Sequence, residues 1–447
     1  PHDIIGLVDD APEKQHLLLH RKPVLGKILD LPRLIREHSI DEVLIAIPSA
    51  HGEVIRHIFD LCSTTKARVR TLPSVPEVAA EGGAISKQFR EIEIEDLLRR
   101  PTVETDLRKI AGYLSGEHVL ITGGGGSIGS ELARQIGRLG PASLILVGKG
   151  ENSIYEIEQE LMQSLGVTPI AVIADVRDGR AMEQIFAEYR PTVVFHAAAH
   201  KHVPLMQRSP YEAIRNNVFG TLTTAEMAIR HGVKKFILIS TDKAVKPSSV
   251  MGATKRLCEK IVAALAQTSE TEFAAVRFGN VLGSRGSLIP VLKAQIKRGG
   301  PVRITHAEMT RFFMTIPEAV QLVVQAGALG SRGEVFVLDM GSPIKVNDLA
   351  MELIRMHGLR PGVDIQVQYT GMRPGEKLHE ELLYDAEDLV ATSHPKIRMV
   401  GNARPMDVAR FREELNTLGA LANDGTPDRC RQYLMELAWE KNAVPLL

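Results

Sequence analysis

The sequence predicts an α/β protein, a doubly wound parallel sheet preceded by a smaller unit built on the same alternation. Three observations lead there. Six strand-sized apolar runs, at 118–121, 143–147, 170–173, 192–195, 235–239 and 273–277, are separated by segments with helical periodicity. The first of them opens directly into a glycine-rich turn and an amphipathic helix, from Gly123 onward. Upstream, 4–8, 42–47 and 68–71 read as strands and 31–38 and 53–62 as helices, the pattern of a small open parallel sheet.

In chain order, the first unit takes residues 1–88 and is Rossmann-like; Asp9-Asp10, after its first strand, suits a ribose or a turn cap, and without a complete glycine fingerprint before it the cap is favoured. A polar linker, 89–115, follows the Gly82-Gly83 pair and contains Arg100-Pro101. Residues 116–447 form the main Rossmann domain. After Gly279 its pattern loosens into a loop-rich, substrate-binding part that runs to about Glu381. Residues 405–439 read as two helices for packing or oligomer contact.

With 447 residues and about 150 per domain, two or three units are expected. The composition, 44% hydrophobic and 24% charged, is that of a soluble globular protein. Lys and Arg total 54 and so do Asp and Glu, which leaves no overall field to gather nucleic acid or anionic lipid. Cys62, Cys258 and Cys430 lie far apart, against a disulfide framework or zinc cluster and in favour of a reducing compartment. No run approaches the roughly 20 apolar residues of a membrane span. The opening Pro1-His2-Asp3, without Met, reads as a fragment of a longer protein cut just before a folded unit.

Gly123, Gly126 and Gly129 follow Val119-Leu120-Ile121-Thr122 and precede a helix that begins near Ser127-Ile128. The three glycines serve different ends, namely a tight turn, close approach to a pyrophosphate, and close packing of helix on strand. A flexible loop is the competing reading, and the strand–turn–helix setting favours a dinucleotide. Asp175-Val176, after the third strand, suits an adenine amine and an adjacent backbone amide, or a helix N-cap, since Asp178 and a helix follow closely. After the second strand stands Lys149, where a ribose-gripping carboxylate is usual, so NADP is favoured over NAD. Ala197, Ala198 and Ala199 offer a wall for a flat cofactor. His196 and His200 have the spacing of helical metal ligands, but a strand precedes them and gives them no common face, so no metal site is expected.

Thr122-Gly123-x-x-Gly126-x-x-Gly129, His196-Ala-Ala-Ala-x-Lys201-His202-Val203-Pro204, Asn216-Asn217-Val218-x-Gly220-Thr221, Ser240-Thr241-Asp242-Lys243-Ala244 and Met251-x-x-x-Lys255 together resemble the extended short-chain dehydrogenase/reductases. More narrowly, the chain resembles the long, membrane-anchored UDP-N-acetylglucosamine 4,6-dehydratases of bacterial polysaccharide synthesis, over essentially its whole length. The resemblance implies a bound NADP or NAD regenerated each turnover, with Asn217 beside it. It implies UDP-N-acetylglucosamine as substrate, a homo-oligomer, and a place on the cytoplasmic face of the inner membrane through N-terminal helices that are absent here. It also implies that Lys243 takes the C5 proton, Asp242 protonates the C6 hydroxyl, Thr241 orients the C4 hydroxyl and Lys255 holds the nicotinamide ribose. Met251 stands where the wider family has a tyrosine, as in the long dehydratases, and a thioether moves no proton. Ordinary pKa values of about 10.4 for lysine and 3.9 for aspartate require a desolvated site that lowers one and raises the other. A strand-end turn with a surface ion pair is the competing reading of Thr241-Asp242-Lys243.

Residues 277–287 combine glycines, an amide and cations fit to wrap a diphosphate, or to form an exposed turn. With the segment 371–377 they resemble the nucleoside-diphosphate clamp of extended family members. Asn280, Ser284, Arg285, Thr305, Arg311 and Arg373 are the residues expected there; His200 and His202 are expected to shape the sugar pocket, and Lys201 to meet either a phosphate or a sugar hydroxyl. Two other functions stay open: a UDP-sugar 4-epimerase, and an inactive sugar-nucleotide-binding protein.

Overall fold

The structure, a computed structural model, describes residues 3–47, 50–72, 89–98, 107–330, 332–384, 387–401 and 406–439. Gly82-Gly83 and Arg100-Pro101, the expected marks of the junction, lie outside them. Contacts group the chain into two compact units: Pro1–Thr102 with Val291–Arg303 and Asp348–Gln368, and the rest.

The larger unit is built on nine strands: β1 (His118–Thr122), β2 (Ser143–Gly148), β3 (Ile170–Ile173), β4 (Val193–His196), β5 (Lys235–Ile239), β6 (Glu272–Arg277), β7 (Arg332–Leu338), β8 (Leu389–Ala391) and β9 (Ile397–Val400). Their order is β8-β9-β7-β6-β5-β4-β1-β2-β3. The strands β1 to β7 pair in parallel, and β9 and β8 close one edge antiparallel. The six apolar runs read from the sequence are six of these strands, each within one residue of its observed bounds. They are legible because both faces are covered, which makes the runs nearly continuous in Val, Ile, Leu and Phe.

Strand periodicity divides the core in two. Leu120, Ile145, Val194, Phe236, Leu238 and Phe273 point to one face, under α3 (Gly179–Tyr189), α4 (Gly220–Arg230), α5 (Val250–Ala266), α7 (Val408–Asp424) and α8 (Pro427–Trp439). Val119, Ile121, Leu146, Phe195, Ile237 and Val276 point to the other, under α1 (Ser127–Gly137), α2 (Glu151–Leu165) and α6 (Ile316–Gly327). Truncating one of these buried phenylalanines to alanine costs about 3–5 kcal/mol. In register, Thr122 stands opposite His196, and His196 opposite Leu238, so the carboxyl ends of β1, β4 and β5 finish level. That edge carries the chemistry below.

The region after Gly279 is more regular than its sequence suggests. It adds β7, interrupted near its start by the positive-φ Gly333, and the short β8 and β9, whose residues alternate too little to signal strands. The two C-terminal helices occur as expected and bury Phe411, Leu415, Leu418 and Leu434 in the first cluster.

In the smaller unit, the described strands form two three-stranded sheets rather than one. Leu7–Val8 pairs in parallel with Lys22–Gly26, which in turn pairs with Leu18–Leu19. Glu42–Ile45 pairs in parallel with Arg68–Thr71, next to Arg90–Glu91. Pro23 hides the middle strand of the first sheet from a sequence reading. Helices Leu31–Glu37 and Gly52–Ser63 lie where periodicity put them. Asp9 caps its turn, accepting from Ala11 N at 3.0 Å and Lys14 Nζ at 2.7 Å. Among the described residues no helix is long and apolar enough to cross a membrane.

Candidate active site

The glycine turn joins β1 to α1. Gly123 has φ +67°, and a Cβ there would meet Ala198 N at 2.8 Å, so the turn and the alanine wall approach closely enough to require glycine. A Cβ on Gly129 would collide with the Gly123 carbonyl, and one on Gly126 would lie 3.1 Å from the same oxygen. Gly126 starts α1 without a side-chain cap, leaving the N–H groups of Ser127, Ile128 and their neighbours open to an anion. These features fit a dinucleotide pyrophosphate.

Behind the turn, His196 is fully buried between two hydroxyls: Thr122 Oγ1 at 2.9 Å from Nδ1 and Thr221 Oγ1 at 3.0 Å from Nε2. Thr221 donates its own proton to the Asn217 carbonyl at 2.6 Å, so Nε2–H donates and Nδ1 accepts. Burial, with the nearby Lys255 charge, pushes the His196 pKa down to about 3. His196 is thus a neutral structural tie. Asn217, expected at the cofactor, is buried in a π-helical turn and spends its amide on the His200 backbone, accepting from N at 2.8 Å and donating to O at 3.0 Å. These bonds brace the segment that carries Ala197, Ala198 and Ala199.

At the adenosine end, Asp175 accepts from Arg177 N at 3.0 Å and from Arg177 Nη2 at 2.7 Å, with Lys149 Nζ 4.0 Å away. Val176 is buried against Gly220. Asp178 is the helix cap, accepting from Arg180 N and Ala181 N.

At the carboxyl end of β5, Thr241 Oγ1 donates to Asp242 Oδ1 at 2.8 Å, and Lys243 Nζ donates to the same oxygen at 3.0 Å. Asp242 is fully buried and its Oδ2 has no hydrogen-bond partner. A buried orphan oxygen is costly unless something bonds it in the working state. Glycine lets α5 start here: a Cβ on Gly252 would strike the Lys243 carbonyl. Met251 lies in the apolar cluster, 4% exposed, so it packs rather than reacts. Lys255, one turn further along α5, is 6% exposed, and among the described residues nothing bonds its ammonium. Burial lowers its pKa against the pull of Cys258 and Glu259.

The expected substrate-side residues scatter to several uses. Asn280 turns its side-chain oxygen to Lys243 Nζ at 3.0 Å, away from a diphosphate role. Arg285 lies on the glycine turn: its N–H donates to Ser127 Oγ at 3.2 Å and its guanidinium to the Gly125 carbonyl. Ser284 accepts from Lys201 Nζ at 3.2 Å, and the His202 ring lies against Gly286. Burial and the Arg285 charge lower the Lys201 pKa, which fits two cations awaiting an anion. Thr305 faces Met309 Sδ at 3.1 Å and is buried, so its hydroxyl does not reach the site. Arg311 donates to the carbonyls of Thr310, Leu378 and Lys377 at 2.7, 3.2 and 2.9 Å. It fastens the 375–380 segment more than it could hold a ligand. Arg373 is mostly exposed, 3.7 Å from Glu376.

With this geometry in view, the family described as polysaccharide biosynthesis protein matches residues 119–402, and a CoA-binding domain family matches residues 1–73. The chain belongs to the polysaccharide biosynthesis protein family. It is 49% identical over 383 residues to the capsular polysaccharide biosynthesis protein CapD of Staphylococcus aureus, covering 85% of this chain and 64% of that protein. A UDP-N-acetylglucosamine 4,6-dehydratase (inverting) of Campylobacter jejuni is 35% identical over 300 residues, 64% of this chain and 84% of the relative. The solved structure of Pen from Bacillus thuringiensis superposes with a TM-score of 0.59 at 30% identity, over 66% of this chain and 90% of that one.

The segment 371–377, expected at the diphosphate, instead opens a strap after β7 that runs on to Tyr384. Lys377 Nζ donates to the Val245 carbonyl at 2.8 Å, Ser248 Oγ to the Gly375 carbonyl at 3.0 Å, and Tyr384 Oη to the Ala244 carbonyl at 3.0 Å. These bonds pin 375–384 over the turn that carries Asp242 and Lys243. Between them lies a cavity of about 110 Å³ lined by Lys243, Ser248, Ser249, Arg311, Lys377 and Glu380, among others. Burial alone would lower the Lys243 pKa, but Asp242 and Glu380 outweigh it and hold the ammonium above its ordinary value. The lysine lowered by desolvation that the chemistry calls for is therefore not the resting state of this family member.

Proposed function

We propose that the chain is an NAD(P)-dependent UDP-N-acetylglucosamine 4,6-dehydratase, forming a UDP-4-keto-6-deoxy-N-acetylhexosamine. The observation that carries this reading is the buried Asp242–Lys243 acid–base pair beside a small cavity, with Asp242 Oδ2 left without a partner. An epimerase needs to oxidise and reduce only C4. Losing water across C5 and C6 requires a second acid and a base, and here one oxygen of the acid is still unbonded. Relatives named as a dehydratase and as UDP-glucose 4-epimerases are equally similar, so the choice rests on the Asp242–Lys243 pair.

When bound, the nicotinamide takes a hydride from C4 and later gives it back at C6. The protein supplies everything else. The glycine turn and the N-terminus of α1 hold the pyrophosphate, and the free ammonium of Lys255 meets the ribose. Lys149, just past the end of β2, favours a 2′-phosphate, hence NADP, while Arg177 is spent on Asp175 and Glu212. Thr241, already donating to Asp242, can pass the C4 hydroxyl proton along its 2.8 Å bond to that carboxylate. This gives the C4 proton a destination although Met251 replaces the usual tyrosine, and it arms Asp242 as the acid for the C6 oxygen. The C4 ketone acidifies C5, and Lys243, bonded to the same carboxylate, is the base.

The test is incubation with UDP-N-acetylglucosamine without added reductant. A product lighter by one water supports the dehydratase. Unchanged mass with inversion at C4 supports the epimerase, and no transient absorbance of reduced cofactor leaves only a binding protein.

A further inference from the structure

We propose that Glu380 is the proton partner of Lys243, a positioning residue that takes the ammonium proton so that the amine can act as base. The inference rests on the dehydratase reading and deepens it. Glu380 lies 137 residues along the chain from Lys243, outside the Thr241-Asp242-Lys243 turn, yet its Oε1 sits 3.7 Å from Lys243 Nζ. Its side chain is 4% exposed, lines the same cavity, and has its second oxygen, Oε2, buried without a hydrogen bond. Arg311 Nε, 3.8 Å from Oε1, holds the carboxylate in place from the other side.

The charged groups around Lys243 are Asp242 on its own turn, Glu376, Lys377 and Glu380 from the strap, and Arg311 from the short strand Thr310–Arg311; Asn280 adds a neutral acceptor. Two nearby carboxylates hold Lys243 charged, which is the wrong state for taking a proton from carbon. The C4 step removes Asp242's share of that hold, because the hydroxyl proton passing through Thr241 neutralises Asp242. Once the two side chains close from 3.7 Å to hydrogen-bond distance, one N–H bond of Lys243 breaks and an O–H bond forms on Glu380, leaving a neutral amine and a carboxylic acid.

From there the proton count closes without outside acid or base. The amine lone pair takes the C5 proton, the C5–H pair becomes the C5–C6 double bond, and the C6–O bond breaks as Asp242 gives its proton to the leaving oxygen. Lys243 is again an ammonium and Asp242 a carboxylate. When C6 is reduced, Lys243 returns a proton to C5 and Glu380 returns its own to Lys243. The resting charges are restored.

An internal acceptor makes the elimination insensitive to bulk pH near neutrality, since no proton leaves the site. The experiment follows deuterium uptake at C5 of UDP-N-acetylglucosamine in heavy water across the neutral range, with the product formed by the wild type as reference. In E380Q the amine must lose its proton to solvent: the rate at pH 7 is expected to fall at least about tenfold and then rise about tenfold per pH unit, with KM little changed. E380D should restore most of the flat profile. NMR titration of labelled lysines, with Lys243 assigned by K243R, should find its midpoint lowered by about one unit in E380Q. A profile in E380Q parallel to wild type, or an unmoved midpoint, overturns the proposal. Should E380Q not fold, E380D carries the decision: withdrawing the carboxylate by one methylene must lower the midpoint in part, and no shift refutes it. Wild type that forms no dehydrated product refutes the parent reading instead.

Discussion

Asn280 sets its side-chain oxygen 3.0 Å from Lys243 Nζ, the same distance at which Asp242 Oδ1 meets that ammonium from its own turn. The loop after β6 therefore reaches Lys243 directly, where the sequence reading places Asn280 at a diphosphate.

A residue that steadies the base and one that grips a diphosphate fail differently when changed. N280D puts a third carboxylate against Lys243 and holds it more firmly charged, so kcat should fall by about 10²-fold while KM for the nucleotide sugar stays within about twofold. A large rise in KM at constant kcat would return Asn280 to the diphosphate.

The glycines of α1 are unequal. A Cβ on Gly129 has no room beside the Gly123 carbonyl, whereas one on Gly137, in the same helix, would meet nothing nearer than 3.7 Å. G129A should lower the melting temperature and leave the purified protein without dinucleotide absorbance. G137A should keep the cofactor and gain up to about 1 kcal/mol of stability from the lost backbone entropy of glycine.

How far the sequence went follows from which contacts are local. The strands β1 to β6 and the glycine turn are written in consecutive residues, as apolar runs and as a fixed spacing, so both were readable. The Asp242-Lys243 pair was readable for the same reason. Arg311 and Asn280 sit in two-residue strands that leave no periodic signal, and what they bond, the Lys377 carbonyl and Lys243, lies tens of residues away, while Thr305 turns its hydroxyl to Met309 close by. Composition gives a loop's chemistry but not its aim. Glu380 has no local signature at all: it is one acid in the polar run 376–381, and only the strap's bonds to Val245 and Ala244 bring it to Lys243.

Arg277, also read as part of the diphosphate loop, is instead the centre of a buried network. It is fully buried, donating to Glu259 through Nε and Nη2 at 2.8 Å each and to Glu387 at 2.7 and 3.0 Å, while Ser240 Oγ donates to Glu259 at 2.6 Å. R277A strands two carboxylates and should cost about 3–5 kcal/mol in urea unfolding. Burial would raise the Glu259 pKa, but Arg277 outweighs it and holds it at about 2 against an ordinary 4.5. Its folded value is depressed, so this contribution is complete above pH 4.5 and is lost as the pH falls from there through about 2. R277A should lose that part of the acid sensitivity.

His196 gives a second, separable pH dependence. Its folded pKa of about 3 lies below the ordinary 6.5, so between those values the unfolded chain binds a proton that the native histidine refuses. Stability should be full above pH 6.5 and decline below it, by about 1.4 kcal/mol per pH unit. His196→Asn carries no titrating group and should flatten this slope whatever it does to absolute stability. A slope unchanged in that variant would mean other groups set it.

Arg285 decides which phosphate the loop after β6 holds. Its backbone N–H and guanidinium both reach the glycine turn, at Ser127 Oγ and the Gly125 carbonyl, where a cofactor pyrophosphate fits against the start of α1. Lys201, bonded to the neighbouring Ser284, adds a second cation to the same wall. A guanidinium bonded to an anion is worth more than one bonded to a neutral carbonyl, so binding of the dinucleotide should draw Arg285 off Gly125 and onto phosphate. R285A should therefore weaken dinucleotide binding by roughly tenfold or more in calorimetry on stripped protein, with UDP affinity nearly unchanged. If UDP affinity falls instead and the dinucleotide stays, the loop belongs to the sugar nucleotide, and the turn is held by its glycines and the helix end alone.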